Sequence, residues 1–187
     1  LIFAVIALAM FCMGYAGYHR FYAEVGYGAF LCHHKVGAGA LARFVKMRIG
    51  ALSTSTIFLD SDQLEGVDLI IDIVRSQTKN LVILLTKMTL TRPWCAAEIA
   101  TASTNGTSMV PVICDGYVRL ICDDDGLEDE AMAQLDSLWT DREKHQLGQN
   151  GIEMTMIKDA YRHLGTLESI QLKRLATIRE QEAVVAL

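Results

Sequence analysis

The 187-residue sequence contains no long cluster of basic residues, no Cys-x-x-Cys pair, no internal repeat and no low-complexity segment. With 17 basic and 22 acidic residues the formal net charge is −5, so nucleic acid is not an expected partner. The cysteines are odd in number and fit neither a disulfide framework nor a structural zinc site: Cys12, Cys32, Cys95, Cys114 and Cys122. We therefore expect a reducing compartment and no bound metal. The length accommodates one ordinary domain and an appendage.

The first 17 residues carry no charge and are mainly apolar. Because a bilayer span takes roughly 20 apolar residues, this run is consistent with the end of a transmembrane helix, and a start at Leu1 rather than Met suggests a fragment. A signal-peptide core, although no basic leader or cleavage site is visible, and a buried helix are the alternatives. We favour a membrane tether at residues 1–18 and a linker at 19–26, where His19 and Arg20 indicate a cytoplasmic location for the following domain.

Short apolar runs alternate with helical patterns along the rest of the chain. The pattern predicts strands at residues 29–32, 56–59, 81–85, 109–114 and 169–172. It predicts helices at residues 39–49, 67–74, 93–105, 128–139 and 152–164, and a C-terminal helix or tail at 173–187. Such alternation is typical of an α/β domain with a doubly wound parallel sheet, which we place at residues 27–172.

Residues 80–105 contain a buried strand, a loop and a helix in succession. The unbroken apolar run at 81–85 suits a strand buried on both faces, and Pro93 suits the first turn of a helix that Asn105-Gly106 ends. On this helix Trp94 and Glu98 are four residues apart and therefore lie on one face. Both are near the carboxyl end of the preceding strand, the edge at which open α/β sheets bind ligands.

The pentapeptide Trp94-Cys95-Ala96-Ala97-Glu98 resembles the Trp-Cys-x-x-Glu motif of Toll/interleukin receptor (TIR) homology domains. Residues 27–34 resemble the first-strand box of that family, and residues 57–62 its second strand and following loop. Two positions depart from the box, because Gly28 stands where an acid is usual and Cys32 where serine is common. The resemblance extends over about residues 27–117 and implies a flavodoxin-like sheet in the strand order 2-1-3-4-5.

The resemblance also implies a catalytic site. Some TIR domains cleave the bond between nicotinamide and ribose in NAD+, and Glu98 occupies the position of their catalytic glutamate. Cleavage builds positive charge on the ribose, which a nearby carboxylate stabilises. The residues implied in substrate binding are Trp94, His33, His34, Lys35 and Phe30. NAD+ is then a substrate, and neither a cofactor nor a metal is expected.

Three expectations about burial accompany this site. Glu98 should lie at the surface, so that its replacement leaves stability almost unchanged. Trp94 should also pack between helix and sheet. Cys95 should be a small buried residue that faces away from the side of the helix shared by Trp94 and Glu98.

Association with other TIR domains is the second activity that the resemblance implies. Family members contact one another through the loop after the second strand, and assembly often completes their active site. The loop residues expected to make this contact are Asp60, Asp62, Leu64, Glu65 and Gly66.

Three functions therefore stay open. The first is a TIR domain that signals and cleaves NAD+, and the second is a TIR scaffold or adaptor without catalysis. The third, more remote, is a receiver domain, which shares the strand order. A receiver needs an acidic pair after strand one and a phospho-acceptor aspartate after strand three, where this sequence has Cys32-His33-His34 and Thr86-Lys87.

Overall fold

The computed structural model describes residues 26–60, 67–117, 135 and 137–172. Within these ranges the strands are β1 (Ala29–Cys32), β2 (Ile57–Phe58), β3 (Asn80–Leu85), β4 (Ser108–Cys114) and β5 (Ile170–Leu172). The helices are α1 (Lys35–Leu52), α2 (Val67–Ser76), α3 (Pro93–Asn105), α4 (Asp141–Gln149) and α5 (Met154–Thr166). All five strands pair in parallel in the order β2-β1-β3-β4-β5. The predicted doubly wound, flavodoxin-like sheet is confirmed.

The centre of the sheet is formed by β1 and β3, whose carboxyl ends are adjacent. Cys32 at the end of β1 is in register with Ile83 of β3. The chain leaves β1 toward β2 on one side and leaves β3 toward β4 on the other. This reversal is the topological switch point at which doubly wound sheets bind ligands.

Alternate side chains of the strands form two apolar cores, one on each face of the sheet, as the period of two along a strand requires. One core packs Phe30 and Ile83 against α2, α3 and α5. In it the ring of Phe30 stacks on that of Phe58, with centroids 4.9 Å apart. The other core packs Leu31 and Leu84 against α1.

Helix α3 begins at Pro93, as predicted, and Gly106 ends it in the left-handed conformation with a φ of 69°. Every side chain from Cys95 to Ala102 is buried. The helix contacts the sheet on one side and α2, α4 and α5 on others. Because it is enclosed in this way, the first turns of α3 have no wide face toward solvent.

Helix α1 is longer than the predicted helix at residues 39–49. It continues through Gly50 to Leu52, since a single glycine in a helix costs only about 1 kcal/mol. At its end the backbone N–H of Ser53 donates to the carbonyl of Ile49. Its early start makes His34 the N-cap and Lys35 the first helical residue, so these two side chains are fixed by a helix end rather than by a loop.

The prediction omits α4, a largely polar helix. A capping box begins it, in which the N–H of Glu143 donates to Thr140 Oγ1 over 3.3 Å and the N–H of Thr140 donates to Glu143 Oε2 over 2.8 Å. The Thr-x-x-Glu spacing that makes this box is readable in the sequence and is the signal that was missed.

The predicted helices at 67–74 and 152–164 are confirmed as α2 and α5, and the predicted fifth strand as β5. The apolar segment at 1–18, residues 61–66, most of the predicted helix at 128–139, and residues 173–187 lie outside the described residues. Among the helices that the structure describes, none is long and apolar enough to cross a membrane.

Candidate functional site

A cavity of about 380 Å³ opens at the carboxyl edge of the sheet, beside the end of β1. Its walls are the residues that follow β1, Asp60 after β2, Ile70 and Ile71 of α2, and the first two turns of α3. The volume is at the low end of the range of about 300–1,000 Å³ for small-molecule sites. Its position at the switch point is the one expected for a ligand site in this kind of sheet.

Glu98 of α3 contributes a buried carboxyl group to this cavity. Its exposed fraction is 6%, so the expectation that Glu98 lies at the surface is wrong. Burial raises the pKa of Glu98 from the usual 4.5 to about 8. The charge of Asp60 adds to this rise, whereas the hydrogen bond from Cys32 and the charge of Lys35 oppose it. Glu98 is therefore mostly protonated at neutral pH in this environment.

Two thiols lie beside Glu98. Cys32, the last residue of β1, is fully buried; its Sγ donates to the backbone carbonyl of Cys95 over 4.0 Å and lies close to the side chains of Cys95 and Glu98. The adjacent Cys95 side chain, together with burial, raises the pKa of the Cys32 thiol well above its usual value. Cys95 is buried, as expected, and its thiol donates to the carbonyl of His33 over 3.5 Å. Cys95 lines the same cavity as Trp94 and Glu98, so the expectation that it faces away from them is wrong.

These three side chains form a cluster of possible metal ligands. The two Sγ atoms and a carboxylate oxygen of Glu98 all lie within 4.8 Å of one another. Cys32 comes from β1, and Cys95 and Glu98 come from consecutive turns of α3.

His33 follows β1 and is almost fully buried at the cavity. Its Nδ1 lies 3.1 Å from the carbonyl oxygen of Leu31. Because a carbonyl only accepts, Nδ1 carries the hydrogen and Nε2 holds a lone pair. Burial lowers the pKa of His33, which keeps the ring neutral. Nε2 is buried and has no hydrogen-bond partner within the described part of the chain.

Cationic side chains line the mouth of the cavity. Arg92, directly before α3, donates from Nη2 to His34 Nε2 over 3.0 Å. Partial burial and the charge of Arg92 lower the pKa of His34, so this ring is a neutral acceptor. Lys35 Nζ lies 2.7 Å from Asp60 Oδ2. The mouth thus carries two cations and one carboxylate on partly exposed side chains.

The structure brings most of the predicted site residues together. Those that line the cavity are His33, His34, Lys35, Trp94 and Glu98. Trp94 is half-buried and also packs against the core, as expected. Phe30 lies apart from them, fully buried against Phe58, and does not line the cavity.

The remaining predicted residues belong to the loop after β2. Asp60, expected to make contacts between domains, lines the cavity and pairs with Lys35. Asp62, Leu64, Glu65 and Gly66 lie outside the described residues.

Sequence reasoning missed three residues at this site. Arg92 is adjacent to the Trp-Cys-x-x-Glu motif, and this adjacency is the one signal that pointed to it. Cys95 belongs to the motif but was assigned to the core alone. Cys32 was visible as a departure from the family box, without any indication that its thiol meets Glu98.

A second cavity, of about 370 Å³, lies on the opposite face of the sheet. Its walls are mainly apolar side chains of the sheet and α1, such as Val82, Val112 and Val45. Among the described residues Lys79 is the one ionisable side chain that lines it. Ligand sites combine apolar walls with converging polar groups of shifted pKa, so the first cavity is the candidate functional site.

No protein-family model matches this sequence, and no match is found among curated proteins. Solved structures that match in fold include TIR proteins. One is the metazoan TIR-STING receptor from C. gigas in complex with 2′,3′-cGAMP, with a TM-score of 0.50 and 14% identity over 86% of this chain and 38% of that chain. Another is the set of TIR domains in the activated Roq1 resistosome that recognises the pathogen effector XopQ, with a TM-score of 0.50 and 16% identity over 84% of this chain and 95% of that chain.

The chain thus spans 38% of the length of the TIR-STING receptor and nearly all of the Roq1 TIR chain. At these identities the likeness concerns the fold, which is shared with TIR domains. What the chain does has to be argued from its own site.

Proposed function

We propose that this chain is a TIR domain that cleaves NAD+ to nicotinamide and ADP-ribose and that signals by association with other TIR domains. The observation that supports catalysis is Glu98, a buried carboxyl group one helical turn from Trp94, at a cavity on the switch point of the sheet. The Trp-Cys-x-x-Glu motif and the fold neighbours support the family.

The cavity, at about 380 Å³, suits the nicotinamide and its ribose rather than the whole dinucleotide. Trp94 forms an aromatic wall for this end of the substrate, next to Glu98. The diphosphate extends to the mouth, where Lys35 and Arg92 supply positive charge. The adenosine end lies outside the cavity, where a second copy of the domain would complete the site.

The reaction requires little more than charge stabilisation. The bond between C1′ of the ribose and the nicotinamide nitrogen breaks, its electron pair stays with the nitrogen, and nicotinamide leaves as a neutral molecule. The ribose becomes oxocarbenium-like, and the carboxylate of Glu98 stabilises its positive charge. Water then adds to C1′ and releases a proton, which gives ADP-ribose.

The burial of Glu98 is compatible with this role because the substrate itself is cationic. A positive nicotinamide ring beside the carboxyl group favours the ionised form, and so lowers its pKa when NAD+ binds. Exclusion of water by the bound ring also strengthens the attraction between the carboxylate and the developing charge.

Association is supported by exposed apolar side chains on α1. Val36, Met47 and Leu52 have exposed fractions of 89%, 66% and 63%. Val36 and Met47 are eleven residues, or about three turns, apart, so they lie on one side of α1 and are available for contact with another protein. This observation fits a scaffold equally well, so a TIR scaffold or adaptor without catalysis is the second candidate.

Nicotinamide release from NAD+ distinguishes the two candidates. We expect the concentrated wild-type protein to release nicotinamide and the Glu98→Gln variant to do so about a hundredfold to a thousandfold more slowly, the usual loss for one electrostatic stabiliser. Glu168→Gln is the matched control, because it removes the same charge from an exposed residue outside the cavity. Chromatography of the second product separates ADP-ribose from its cyclic form.

Two results would leave the scaffold as the function. One is equal nicotinamide release from wild type and Glu98→Gln. The other is no release from the wild-type protein at concentrations where light scattering shows it to be assembled.

A further inference from the structure

We propose that Cys32, Cys95 and Glu98 form a binding site for a thiophilic divalent cation, and that Zn²⁺ fits this site best. No spacing in the sequence indicates this site, because Cys32 and Cys95 are 63 residues apart. The packing of β1 against α3 brings their side chains together.

The donor atoms are already close to the arrangement that the cation needs. Both Sγ atoms and a carboxylate oxygen of Glu98 lie within 4.8 Å of one another. With Zn–S bonds of about 2.3 Å and Zn–O bonds of about 2.0–2.2 Å, tetrahedral ligands lie roughly 3.5–3.8 Å apart. Small side-chain rotations therefore close the site. Thiolates select zinc and similar cations over the hard cations Mg²⁺ and Ca²⁺.

The site also has an open side. Cys95 and Glu98 line the cavity, so a cation held by the three ligands is reachable from solvent and can keep water in its fourth position. His33 lines the same cavity, and its buried Nε2 has no partner within the described residues. With Nδ1–H held by the carbonyl of Leu31, Nε2 is an acceptor available to the water on the cation.

The alternative, without a cation, is that the two cysteines are small apolar residues of the core. It accounts for Cys32 and Cys95 but leaves a carboxyl group buried beside them. A divalent cation accounts for all three, because two thiolates and a carboxylate balance its charge to within one unit. Lys35 adds a positive charge nearby, next to Asp60 at the cavity wall.

Cation binding and NAD+ cleavage would compete for Glu98. A bound cation takes the carboxylate that the reaction needs, so Zn²⁺ should inhibit nicotinamide release. This consequence rests on the proposed function, whereas binding of the cation does not.

Titration with Co²⁺, a coloured substitute for Zn²⁺, tests the site without NAD+. The 187-residue chain is reduced, stripped of metal and titrated anaerobically, and Zn²⁺ is then added in competition. We expect one Co²⁺ per chain with thiolate-to-cobalt charge-transfer absorption and tetrahedral visible bands, both removed by Zn²⁺. Cys32→Ser and Cys95→Ser should each weaken binding at least about a hundredfold, since even residues behind the ligands typically contribute about 10–100-fold.

Cys114→Ser is the matched control, because Cys114 is equally buried but belongs to the core on the other face of the sheet. It should bind Co²⁺ as the wild type does. Cys12 and Cys122 are present in the wild type and in every variant, so any Co²⁺ that they bind is the same in all of these proteins. Circular dichroism checks that each variant is folded.

Serine at a fully buried position can unfold a protein, so Glu98→Gln provides a second variant of nearly unchanged shape. It should keep the thiolate absorption but weaken binding. The proposal is overturned if wild type shows no thiolate absorption, or if the folded variants among Cys32→Ser, Cys95→Ser and Glu98→Gln bind like Cys114→Ser. Nicotinamide release measured with a chelator present reports on the proposed function separately.

Discussion

Replacing Glu98 with glutamine should stabilise the folded protein, although it removes the residue proposed to act on NAD+. Glutamine has nearly the same shape as a protonated glutamate and stays neutral at every pH. The wild-type side chain, by contrast, is held neutral in the folded protein and ionises freely in the unfolded chain. At neutral pH the wild type therefore spends free energy of folding on keeping Glu98 protonated, and the variant does not.

The size of this penalty follows from the two pKa values of Glu98, which are about 8 in the folded protein and 4.5 in the unfolded chain. Between these pH values the unfolded chain releases the proton while the folded chain retains it, so wild-type stability falls as pH rises. The fall is about 1.4 kcal/mol per pH unit, which gives about 3 kcal/mol at pH 7 and about 4 kcal/mol at pH 8. Below pH 4.5 both side chains are neutral and the two proteins should be about equally stable.

Urea unfolding followed by tryptophan fluorescence measures this difference. Wild type and Glu98→Gln are compared at pH 5, 6 and 7 with EDTA present, so that no cation occupies the Glu98 cluster. All other titrating groups are common to both proteins and cancel in the difference. In thermal unfolding at pH 7 the melting temperature of the variant should be higher by roughly 6–12 °C. The reason is that 1 kcal/mol shifts the melting temperature of a chain of this size by about 2–4 °C.

Glu168→Gln is again the control, because its side chain is exposed and should change stability by no more than about 0.5 kcal/mol at any of these pH values. If the difference between wild type and Glu98→Gln does not grow from pH 5 to pH 7, burial does not hold this carboxyl group neutral. A variant less stable than wild type at pH 7 would refute the reasoning outright.

Three further predictions follow from other contacts and from the proposed reaction. At low NAD+ concentration, kcat/KM for nicotinamide release should rise about tenfold per pH unit from pH 6 and level off near pH 8, because Glu98 must ionise; a flat profile would contradict this. Tyr161→Phe should lower the free energy of unfolding by about 1–3 kcal/mol in urea titrations, because the buried hydroxyl donates to the carbonyl of Leu90 over 2.7 Å; unchanged stability would mean that this bond contributes nothing. Reversing Asp62 and Glu65 to lysine should weaken self-association in light scattering, most clearly below about 0.1 M salt; identical assembly would exclude this loop from the interface.

Much of the fold was predictable because its signals are local. The apolar run at 81–85 specifies a strand buried on both faces, whatever covers it. Pro93 and Gly106 mark the ends of α3 through a missing N–H and a left-handed backbone, which are properties of the single residues. The limits of α1 were less predictable, because Gly50 weakens a helix by less than the surrounding contacts stabilise it.

The candidate site was predictable only in part. Helical spacing places Trp94 and Glu98 on one side of α3 but does not say what packs over that side, so the burial of Glu98 was missed. The switch point correctly grouped the residues after β1 with the start of α3. The contact between Cys32 and Cys95 depends on how closely β1 and α3 pack, a distance that no local pattern encodes.

The cost of burying Glu98 bears on the choice between enzyme and scaffold. A scaffold gains nothing from a carboxyl group that destabilises the domain by about 3 kcal/mol at pH 7, and a glutamine or an apolar residue would serve its packing better. Destabilising groups of this kind are concentrated where they are used, at reacting centres and ligand sites. Both proposed uses, stabilising the ribose cation and holding a divalent cation, place positive charge beside Glu98. The attraction between this charge and the carboxylate offsets the cost of burying Glu98. Since the two cations compete for one carboxylate, the free Zn²⁺ concentration would set the fraction of the protein that is able to cleave NAD+.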